Sequence, residues 1–443
     1  MGFMRFLRSM TRICIVGVGH VGLAHAVALA ANGHLVVGTD VNESTLASLR
    51  KGLVPFHEPG LRDAVIRFQK RRRLSFSGEV AAEACRAGIV FLCVGTPSRE
   101  DGSIDTSQIV AAAKTVGAGM PSAKGYQVVV VKSTVIPGTT ESGVRPALEQ
   151  ESGKTSGKDF GLCVNPEFLR EGSALTDALH PDRLVIGSMD ERSGRTLARV
   201  YAKMEGKKLR TDLRTAEMIK YATNAFLATK VSFANELANL CDSFGGLNVD
   251  NVVAGMALDP RINPRFLQAG LGFGGSCFPK DVRAIVAAGR ARGYEPRVLN
   301  AVLDVNDTQP LRAVELAEKA AGPLRGKRVA ILGLSFKGGS DDIRESRALP
   351  LARALLAAGA LVVGYDPQAN AAFHSALPQV EIAPSQAEAI AGADVCIVHN
   401  DWPRWRSLRK KDFAAMRGNV VIDGRRILNR SELKGLAVTV LGG

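Results

Sequence analysis

A cysteine in the stretch GLGFGGSCFPKD, residues 270–281, has the setting of a nucleophile. Glycine and proline fill five of these twelve positions, so the backbone is expected to form a loop that can approach a ligand closely. Pro279 and the apolar-periodic run VRAIVAAG predict a helix that starts near Pro279, with Cys277 just before its N-terminus. A helix N-terminus and the adjacent Lys280 both favour a thiolate over a thiol. The sequence therefore predicts a reactive cysteine.

Two further stretches carry ionisable side chains that can serve a site. NPEFLREGSA follows the strand FGLCV, and its Glu167 and Glu171 are four residues apart, so they share a face if the segment is helical. Lys220 and Asn224 have the same spacing in an otherwise apolar turn of a predicted long helix. A lysine in that setting can face a site, but the spacing equally allows a solvated lysine.

The run GVGHVG has the spacing of a dinucleotide-binding turn. Gly17, Gly19 and Gly22 follow the strand RICIV and precede a helical run, which is the context that the G-x-G-x-x-G motif needs. The next strand, HLVVGTD, ends at Asp40, where a carboxylate accepts hydrogen bonds from ribose hydroxyls and repels a 2′-phosphate. The sequence predicts an NAD site rather than an NADP site; a tight turn without a ligand is the alternative.

Hydroxyl-bearing loops follow two other predicted strands. FLCVGTP ends with Thr96 and Pro97, and VVVVKSTVIPGTT carries Ser133 and Thr134. Ligands of parallel α/β sheets collect at the carboxyl ends of the strands, so cofactor and substrate are expected to meet at these loops. A simple capping role for either threonine is the alternative.

The elements that position these residues alternate between strand-like and helix-like runs. The strands are continuous Val/Ile/Leu stretches, which predicts doubly wound parallel sheets with helices on both faces. From about Thr211 the chain has helical periodicity for some thirty residues, which predicts a helix of roughly 45 Å that also packs against another subunit. After about Gly322 the alternation returns. We expect an α/β protein with two Rossmann-like domains, residues 11–210 and 322–443, joined by a central helical domain, residues 211–321, for dimerisation and catalysis.

Composition and charge narrow the class of protein. The 443 residues are 46% hydrophobic and 23% charged, without a run of the ~18 to 20 apolar residues that span a membrane. The basic start of the chain lacks a small-residue cleavage site, so no secretory signal is expected; Met4 and Met10 are alternative starts. The net charge of +14 suits an anionic partner such as a nucleotide-sized substrate. The run KRRR, residues 70–73, is interpreted as a solvated helix face rather than a nucleic-acid site.

The number and spacing of the seven cysteines argue against a zinc site and a disulfide framework. They have neither zinc-ligand spacing nor the even count of a disulfide framework. We therefore expect no metal site, no disulfide framework and a cytoplasmic location.

A set of motifs, taken in order, identifies a family. The motifs are GVGHVGL, CVGTP, STVIPGTT, NPEFLREGSALTDALHPDRLVIG, AEMIKYATNAFLATKVSFANE, DPRINPRFL, GFGGSCFPKD and LGLSFKGGSDDIRES. From Arg12 to about Leu428 the chain resembles the nucleotide-sugar 6-dehydrogenases of the UDP-glucose/GDP-mannose dehydrogenase family, with GFGGSCFPKD and NPEFLREG as the most specific pieces. The resemblance implies that the C6 alcohol of a nucleotide sugar is oxidised to a carboxylate by two hydride transfers to NAD. UDP-glucose, giving UDP-glucuronate, is the first choice of substrate.

The resemblance implies a chemical role for several residues. Cys277 would add to the intermediate aldehyde, and the thiohemiacetal would be oxidised to a thioester that water hydrolyses. Lys220 matches a lysine that stabilises oxyanion character at C6, and Glu167 matches a carboxylate proposed as the base in hydrolysis. Positions that order or activate water are matched by Asp281, Asn224 and Thr134.

The resemblance also implies binding residues. Contacts to NAD are matched by Gly17, Gly19, Gly22, Asp40, Thr96, Thr134, Glu171, Lys280 and Arg344. Contacts to the nucleotide sugar are matched by Glu167, Phe168, Leu169, Lys220, Asn224, Arg261, Phe273, Gly274, Phe336 and Lys337. In this family Arg261 commonly reaches the site of a partner subunit, so a homodimer or larger homo-oligomer through the central helix is implied.

The chain departs from the family pattern at three places. Thr45 stands where the family usually has a lysine or arginine near the adenosine end of NAD, which implies weaker NAD affinity. Ser340 replaces a threonine before Asp341. HNDW, residues 399–402, replaces a more common threonine–glutamate pair, which leaves the nucleotide contacts there open.

Other functions remain as alternatives. GDP-mannose is the alternative substrate, because the catalytic residues are shared, whereas enzymes for UDP-N-acetylmannosamine usually differ around the cysteine. A simple two-electron alcohol dehydrogenase would not need Cys277. A non-catalytic nucleotide-binding protein would be expected to lose at least one of the residues Cys277, Lys220, Asp281 and Glu167.

Overall fold

The chain forms two compact units, Met1–Ala222 and Thr223–Gly443, in a computed structural model that describes residues 10–443. The alternative start at Met4 lies outside the described residues. The two units are described in turn.

In the first unit, the described chain contributes eight strands to one sheet. They are β1 (Arg12–Val16), β2 (Leu35–Thr39), β3 (Leu74–Ser77), β4 (Ile89–Leu92), β5 (Gln127–Val131), β6 (Phe160–Val164), β7 (Arg183–Ser188) and β8 (Lys207–Thr211). The order across the sheet is β3-β2-β1-β4-β5-β6-β7-β8. Strands β4, β5 and β6 are buried along their whole length, as expected when helices cover both faces.

Helices cover this sheet. They are α1 (His20–Ala31), α2 (Glu43–Arg50), α3 (Leu61–Lys70), α4 (Val80–Arg86), α5 (Ser107–Gly119), α6 (Arg145–Ser152), α7 (Ala174–Leu179) and α8 (Glu191–Val200). Because α3 stops at Lys70, the basic run at residues 70–73 ends a helix, so the prediction of a helix face is wrong. The run is solvated as predicted, since Lys70, Arg71 and Arg72 are exposed.

The first sheet differs from the fully parallel prediction at one pair of strands. β7 runs antiparallel to β6, whereas the other neighbouring strands pair in parallel. The link between them, residues 165–182, packs α7 against α1 and does not cross back to the start of the sheet. β7 therefore enters the sheet from the end at which β6 leaves it.

The second unit contains helices and another sheet. Its helices are α10 (Val249–Met256), α11 (Phe278–Arg290), α12 (Arg297–Ala321), α13 (Ala348–Ala357), α14 (Asn370–Ala376) and α15 (Gln386–Ile390). Its strands are β9 (Arg328–Leu332), β10 (Leu361–Tyr365), β11 (Glu381–Ile382), β12 (Val395–Val398), β13 (Val420–Asp423) and β14 (Ala437–Val440). The order β11-β10-β9-β12-β13-β14 is parallel throughout. Short 3₁₀ or π turns of the described chain lie at Met120–Ser122, Thr140–Val144, Pro403–Ser407, Lys410–Phe413 and Arg430–Leu433.

One long helix, α9 (Leu213–Phe244), links the two units and has 32 residues. At 1.5 Å per residue it is about 48 Å long, which confirms the predicted length. The predicted fold class is confirmed as well: two sheets of Rossmann type and a central helical region.

The described residues give no sign of a disulfide, a membrane span or a metal site. All seven cysteines are free thiols, and Cys14, Cys163, Cys241 and Cys396 are buried. Within residues 10–443, no helix combines the length and apolar character needed to cross a membrane. The same residues contain no group of three or more His, Cys, Asp or Glu arranged to hold a metal ion.

Candidate active site

The glycine-rich turn between β1 and α1 contains two glycines that packing requires and one that it does not. Gly17 has φ +94°, and a Cβ atom there would lie 2.7 Å from the Cys93 carbonyl oxygen. A Cβ atom at Gly22 would lie 1.9 Å from the Gly17 carbonyl oxygen. At Gly19, directly before α1, a Cβ atom would meet nothing within 4 Å. The backbone at Gly19 is therefore open to a ligand at the N-terminus of a helix, a position that favours phosphate.

Asp40 follows β2 and is tied to this turn. Its Oδ2 accepts a hydrogen bond from the Val18 backbone N–H at 2.9 Å, and its Oδ1 accepts one from the Asn42 N–H at 3.0 Å. Thr45, where the family more often has a cation, lies in the first turn of α2 and donates its N–H to Asn42 Oδ1 at 3.1 Å. The open backbone at Gly19 and the carboxylate of Asp40 fit the pyrophosphate and ribose of NAD.

The loops after β4 and β5 are bonded to each other. Thr96 Oγ1 donates to the Thr134 carbonyl oxygen at 2.9 Å, and Ser133 Oγ donates to the Val94 carbonyl oxygen at 2.7 Å. The hydroxyl of Thr96 thus fixes the neighbouring loop and does not cap a helix. The structure joins Thr96 to the backbone of Thr134 at the carboxyl edge of the sheet, and the predicted meeting of cofactor and substrate there stays a prediction.

A buried ion pair joins the loop after β6 to α9. Lys220 Nζ lies 2.7 Å from Glu167 Oε1, and the two side chains are 5% and 8% exposed. The solvated reading of Lys220 is therefore wrong. Desolvation of the buried Glu167 opposes its ionisation, but the ammonium group of Lys220 and its hydrogen bond outweigh this, so the pKa of Glu167 lies below its usual value. The ring of Phe168 lies 5.7 Å from Lys220 Nζ and 3.8 Å from the guanidinium carbon of Arg183.

The segment that carries Glu167 and Glu171 is not helical, so these residues do not share a helix face. Regular structure resumes only at Ala174, the first residue of α7. Glu167 Oε2 accepts a hydrogen bond from the Leu169 backbone N–H at 2.7 Å, which holds the segment in a turn. The spacing of four was therefore a misleading signal here.

Lys132, directly after β5, is a residue that sequence reasoning missed. It is 4% exposed, and its Nζ donates to Asn165 Oδ1 at 2.9 Å and to the Asn165 carbonyl oxygen at 3.4 Å. Burial lowers its pKa to about 8, although the carboxylate of Glu167 partly opposes this effect. The signal in the sequence was a charged residue at the end of the otherwise apolar run VVVV.

In the second unit, Cys277 lies directly before α11, as predicted from Pro279. The helix starts at Phe278, Pro279 is within its first two residues, and the Asp281 N–H donates to the Cys277 carbonyl oxygen at 2.8 Å. The side chain of Cys277 is exposed, and its Sγ lies 3.6 Å from Ser276 Oγ. An exposed thiol at a helix N-terminus can act as a nucleophile.

Asp281 joins two other candidate residues of this unit. Asn224 Nδ2 donates to its Oδ2 at 2.6 Å, and Lys280 Nζ lies 2.6 Å from its Oδ1. The Asp281 side chain is 2% exposed, so both oxygens are held in fixed directions. The structure therefore brings Asn224, Lys280 and Asp281 together one helical turn from Cys277.

The loop before Cys277 is clamped by two other segments. Asn306 on α12 accepts a hydrogen bond from the Phe273 N–H at 2.7 Å and donates one to the Phe273 carbonyl oxygen at 3.1 Å. A Cβ atom at Gly274 would lie 2.3 Å from the Glu345 carbonyl oxygen, and one at Gly275 would lie 2.7 Å from the Phe336 ring. The glycines thus allow residues 336–345 to pack directly on this loop, as the close approach of a backbone requires.

The other candidate binding residues are held by local partners. Lys337 lies 5.5 Å from the centre of the Phe336 ring. Arg344 forms an ion pair with Asp342 at 2.7 Å, and the exposed Arg261 forms one with Asp259 at 2.6 Å. The role predicted for Arg261 at the site of a partner subunit stays a prediction.

The unusual HNDW segment has a structural explanation. Trp402 Nε1 and Asn400 Nδ2 donate to Asp366 Oδ2 at 3.1 Å and 3.3 Å, and Asp401 Oδ1 accepts a hydrogen bond from the Gly338 N–H at 2.9 Å. The segment therefore contacts the loop after β9, through Gly338, and the residue that follows β10, Asp366. Ser340 retains the hydroxyl of the usual threonine and accepts a hydrogen bond from the Asp342 N–H at 3.0 Å.

The fold and the glycine turn define an oxidoreductase that uses NAD. The chain matches three family models: the NAD binding domain of the UDP-glucose/GDP-mannose dehydrogenase family at residues 11–205, the central domain at 214–308 and the UDP binding domain at 330–430. The chain belongs to the UDP-glucose/GDP-mannose dehydrogenase family.

Relatives match over nearly the whole chain. UDP-glucose 6-dehydrogenase AglM of Haloferax volcanii is 46% identical over 95% of this chain and 98% of its own. GDP-mannose 6-dehydrogenase of Azotobacter vinelandii is 36% identical over 93% of this chain and 96% of its own. The solved structure of a UDP-glucose dehydrogenase from Pyrobaculum islandicum is 41% identical and superposes with a TM-score of 0.92, covering 100% of this chain and 99% of its own. The family resemblance and the NAD cofactor expected from the sequence are confirmed.

Proposed function

We propose that this protein oxidises the C6 alcohol of UDP-glucose to the carboxylate of UDP-glucuronate, with two NAD per sugar. The observation that carries the proposal is the exposed thiol of Cys277 at the N-terminus of α11, because oxidation of an alcohol only to an aldehyde needs no nucleophile. The relative from Haloferax volcanii, named a UDP-glucose 6-dehydrogenase, supports UDP-glucose as the sugar nucleotide.

Cys277 divides the four-electron oxidation into two similar steps. Bound NAD supplies the hydride acceptor. After C6 has lost its first hydride, Cys277 Sγ adds to the aldehyde carbon and forms a thiohemiacetal, which loses the second hydride and becomes a thioester. Water then cleaves the C–S bond, which releases the carboxylate and returns the thiol.

Other residues act on protons and developing charge. Lys220 stabilises the negative charge that develops on the C6 oxygen. Asp281, held by Asn224 and Lys280, orders the hydrolytic water, with Thr134 as a further contact. Glu167 acts as the base in hydrolysis, and its lowered pKa keeps it ionised at neutral pH.

The residues that bind NAD and the sugar nucleotide are assigned from the family resemblance. The turn from Gly17 to Gly22 and Asp40 hold NAD, and further contacts come from Thr96, Thr134, Glu171, Lys280 and Arg344. The sugar nucleotide contacts Phe168, Leu169, Arg261, Phe273, Gly274, Phe336 and Lys337. An exposed nucleophilic thiol is preserved in a reducing compartment, so we place the reaction in the cytoplasm.

The NADH yield tests this function. With limiting UDP-glucose, we expect two NADH per sugar nucleotide, measured by absorbance, and little NADH from GDP-mannose in a parallel assay. One NADH per UDP-glucose would remove the proposed role of Cys277. A response to GDP-mannose alone would keep the mechanism and change the substrate, and no NADH from any nucleotide sugar would contradict the function.

We further propose a homodimer formed through α9. Phe226, Phe233 and Leu240, spaced by seven residues, are 64%, 48% and 46% exposed, so they form an apolar stripe on one side of the helix. A second copy of the same stripe is the simplest cover for it, because a two-fold interface is self-complementary.

A double variant tests the dimer. Phe226→Glu with Phe233→Glu places like charges on both copies of the stripe, so we expect the protein to sediment as a monomer, whereas the wild type sediments as a dimer. Leu361→Glu, at an equally exposed apolar position at the start of β10, is the control and should remain dimeric. A monomeric wild type would contradict the proposal.

A further inference from the structure

Lys132 is the end of a chain of buried polar groups in the first unit. Its ammonium group donates to the side chain and the carbonyl oxygen of Asn165, a residue that is 0% exposed. Tyr201 Oη donates to the same Asn165 Oδ1 at 2.6 Å and lies 3.1 Å from His25 Nε2. Asn165 Nδ2 donates to the Val185 carbonyl oxygen at 2.7 Å, which fixes the direction of its amide. The residue that begins the turn toward Glu167 is therefore held from three sides.

A buried lysine at this position lowers the stability of the fold relative to an apolar residue. Burial of an ammonium group costs free energy that a methionine of similar length would avoid. The charge itself must then be useful, and the charged groups that act on it are Glu167 after β6 and Lys220 on α9. Glu167 is the carboxylate that Lys220 contacts directly. Burial raises the pKa of the nearby Cys93 thiol to about 12, so that thiol is neutral. His25 and Tyr201 complete the set of titratable groups; burial lowers the pKa of His25 and raises the pKa of Tyr201, so both are neutral near pH 7.

We propose that Lys132 is a positioning residue of the active site: through Asn165 it holds the turn of residues 165–167, which carries the carboxylate of Glu167, and it supplies a second positive charge to the surroundings of that carboxylate. Lys220 pairs with Glu167 and must also serve the reacting oxygen, so a second cation near Glu167 would share the balancing of its charge. The inference rests on the proposed role of Glu167 as a base.

The pH dependence of turnover tests the charge. Without the charge of Lys132, the pKa of Glu167 should rise, so in Lys132→Met we expect the acidic limb of the kcat profile to move to higher pH. Lys132→Arg retains a cation and should keep the limb close to its wild-type position. Tyr201→Phe removes the other donor to Asn165 Oδ1 and leaves the charge, so it separates support of the turn from the effect of charge. A limb that stays in place in Lys132→Met, or that moves equally in Tyr201→Phe, would overturn the proposal.

Two further measurements separate this inference from the proposed function. Glu167→Gln should abolish the acidic limb, and if it does not, the role of Glu167 itself fails. The free energy of unfolding needs no substrate: the folded protein releases the Lys132 proton near pH 8, whereas the unfolded chain does so near 10.5. The unfolded state binds more protons between these values, so wild-type stability relative to Lys132→Met should rise with pH across that window. A flat difference would mean that burial does not lower the pKa of Lys132, so its ammonium group would not be desolvated in the folded protein and the inference would fail.

Discussion

Replacement of Cys277 by serine is expected to reduce kcat with UDP-glucose by on the order of 10³-fold or more, while nucleotide binding stays within a few-fold of the wild type. A serine hydroxyl is a poor nucleophile without an adjacent base, and the oxygen ester it would form hydrolyses more slowly than a thioester. The residue is exposed and precedes α11, so the exchange of one atom should leave the fold intact. Steady-state NADH formation and calorimetric binding of UDP-glucose measure the two effects separately.

Cys85→Ser is the matched control for this variant. Cys85 is a half-buried thiol on α4, outside every proposed contact with cofactor or substrate, so its replacement should not change kcat. Full production of the acid by Cys277→Ser would instead indicate oxidation without a covalent intermediate, and the assignment of Cys277 would be wrong.

The sequence predicted the fold best where one short stretch of residues determines the local structure. The turn at Gly17, Gly19 and Gly22, the start of α11 after Cys277 and the length of α9 all depend on residues that are close in sequence. The edge strand β8 could not be predicted from the sequence, for a physical reason. Its sequence, KKLRT, is exposed over most of its length and has the polar composition of a loop. Charges on such a strand discourage pairing with another chain, and the same charges hide the strand from a search for apolar runs.

The arrangement around the candidate site could be predicted only in part. The direction of β7 depends on where residues 165–182 pack, which no local pattern specifies. Asn306 clamps Phe273 from 33 positions along the chain, and Lys132 meets Asn165 across the same separation. Family resemblance supplied the chemical roles of Cys277 and its partners, but it did not include the support that Lys132 gives, because that support becomes visible only as a set of contacts between strand ends.

Removal of the charge of Lys220 is expected to have the second large effect. Lys220→Met should lower kcat by about 10²- to 10³-fold, because nothing then stabilises the developing charge on the C6 oxygen. It should also lower the free energy of unfolding by about 3–5 kcal/mol, because it leaves the buried carboxylate of Glu167 without its nearest partner. Thermal or urea unfolding and steady-state kinetics measure the two losses.

The pH dependence of that stability loss follows from the lowered pKa of Glu167. A carboxyl group whose pKa is lowered in the folded state contributes stability above its ordinary pKa of 4.5 and loses it as pH falls through the lowered value. The difference in unfolding free energy between the wild type and Lys220→Met should therefore shrink in acid. A difference that is constant with pH would mean that packing of the lysine stem, and not the ion pair, causes the loss.

A double variant separates the structural role of the Lys220–Glu167 pair from its chemical role. Lys220→Met with Glu167→Gln replaces a buried ion pair by two neutral side chains of similar size, which removes the unpaired charge and should restore most of the stability lost in Lys220→Met. It cannot restore turnover, since both the stabilising cation and the base are absent. Recovery of stability with activity still low would fit a pair that is retained for chemistry at a cost in stability, whereas recovery of both would mean that neither residue takes part in the reaction.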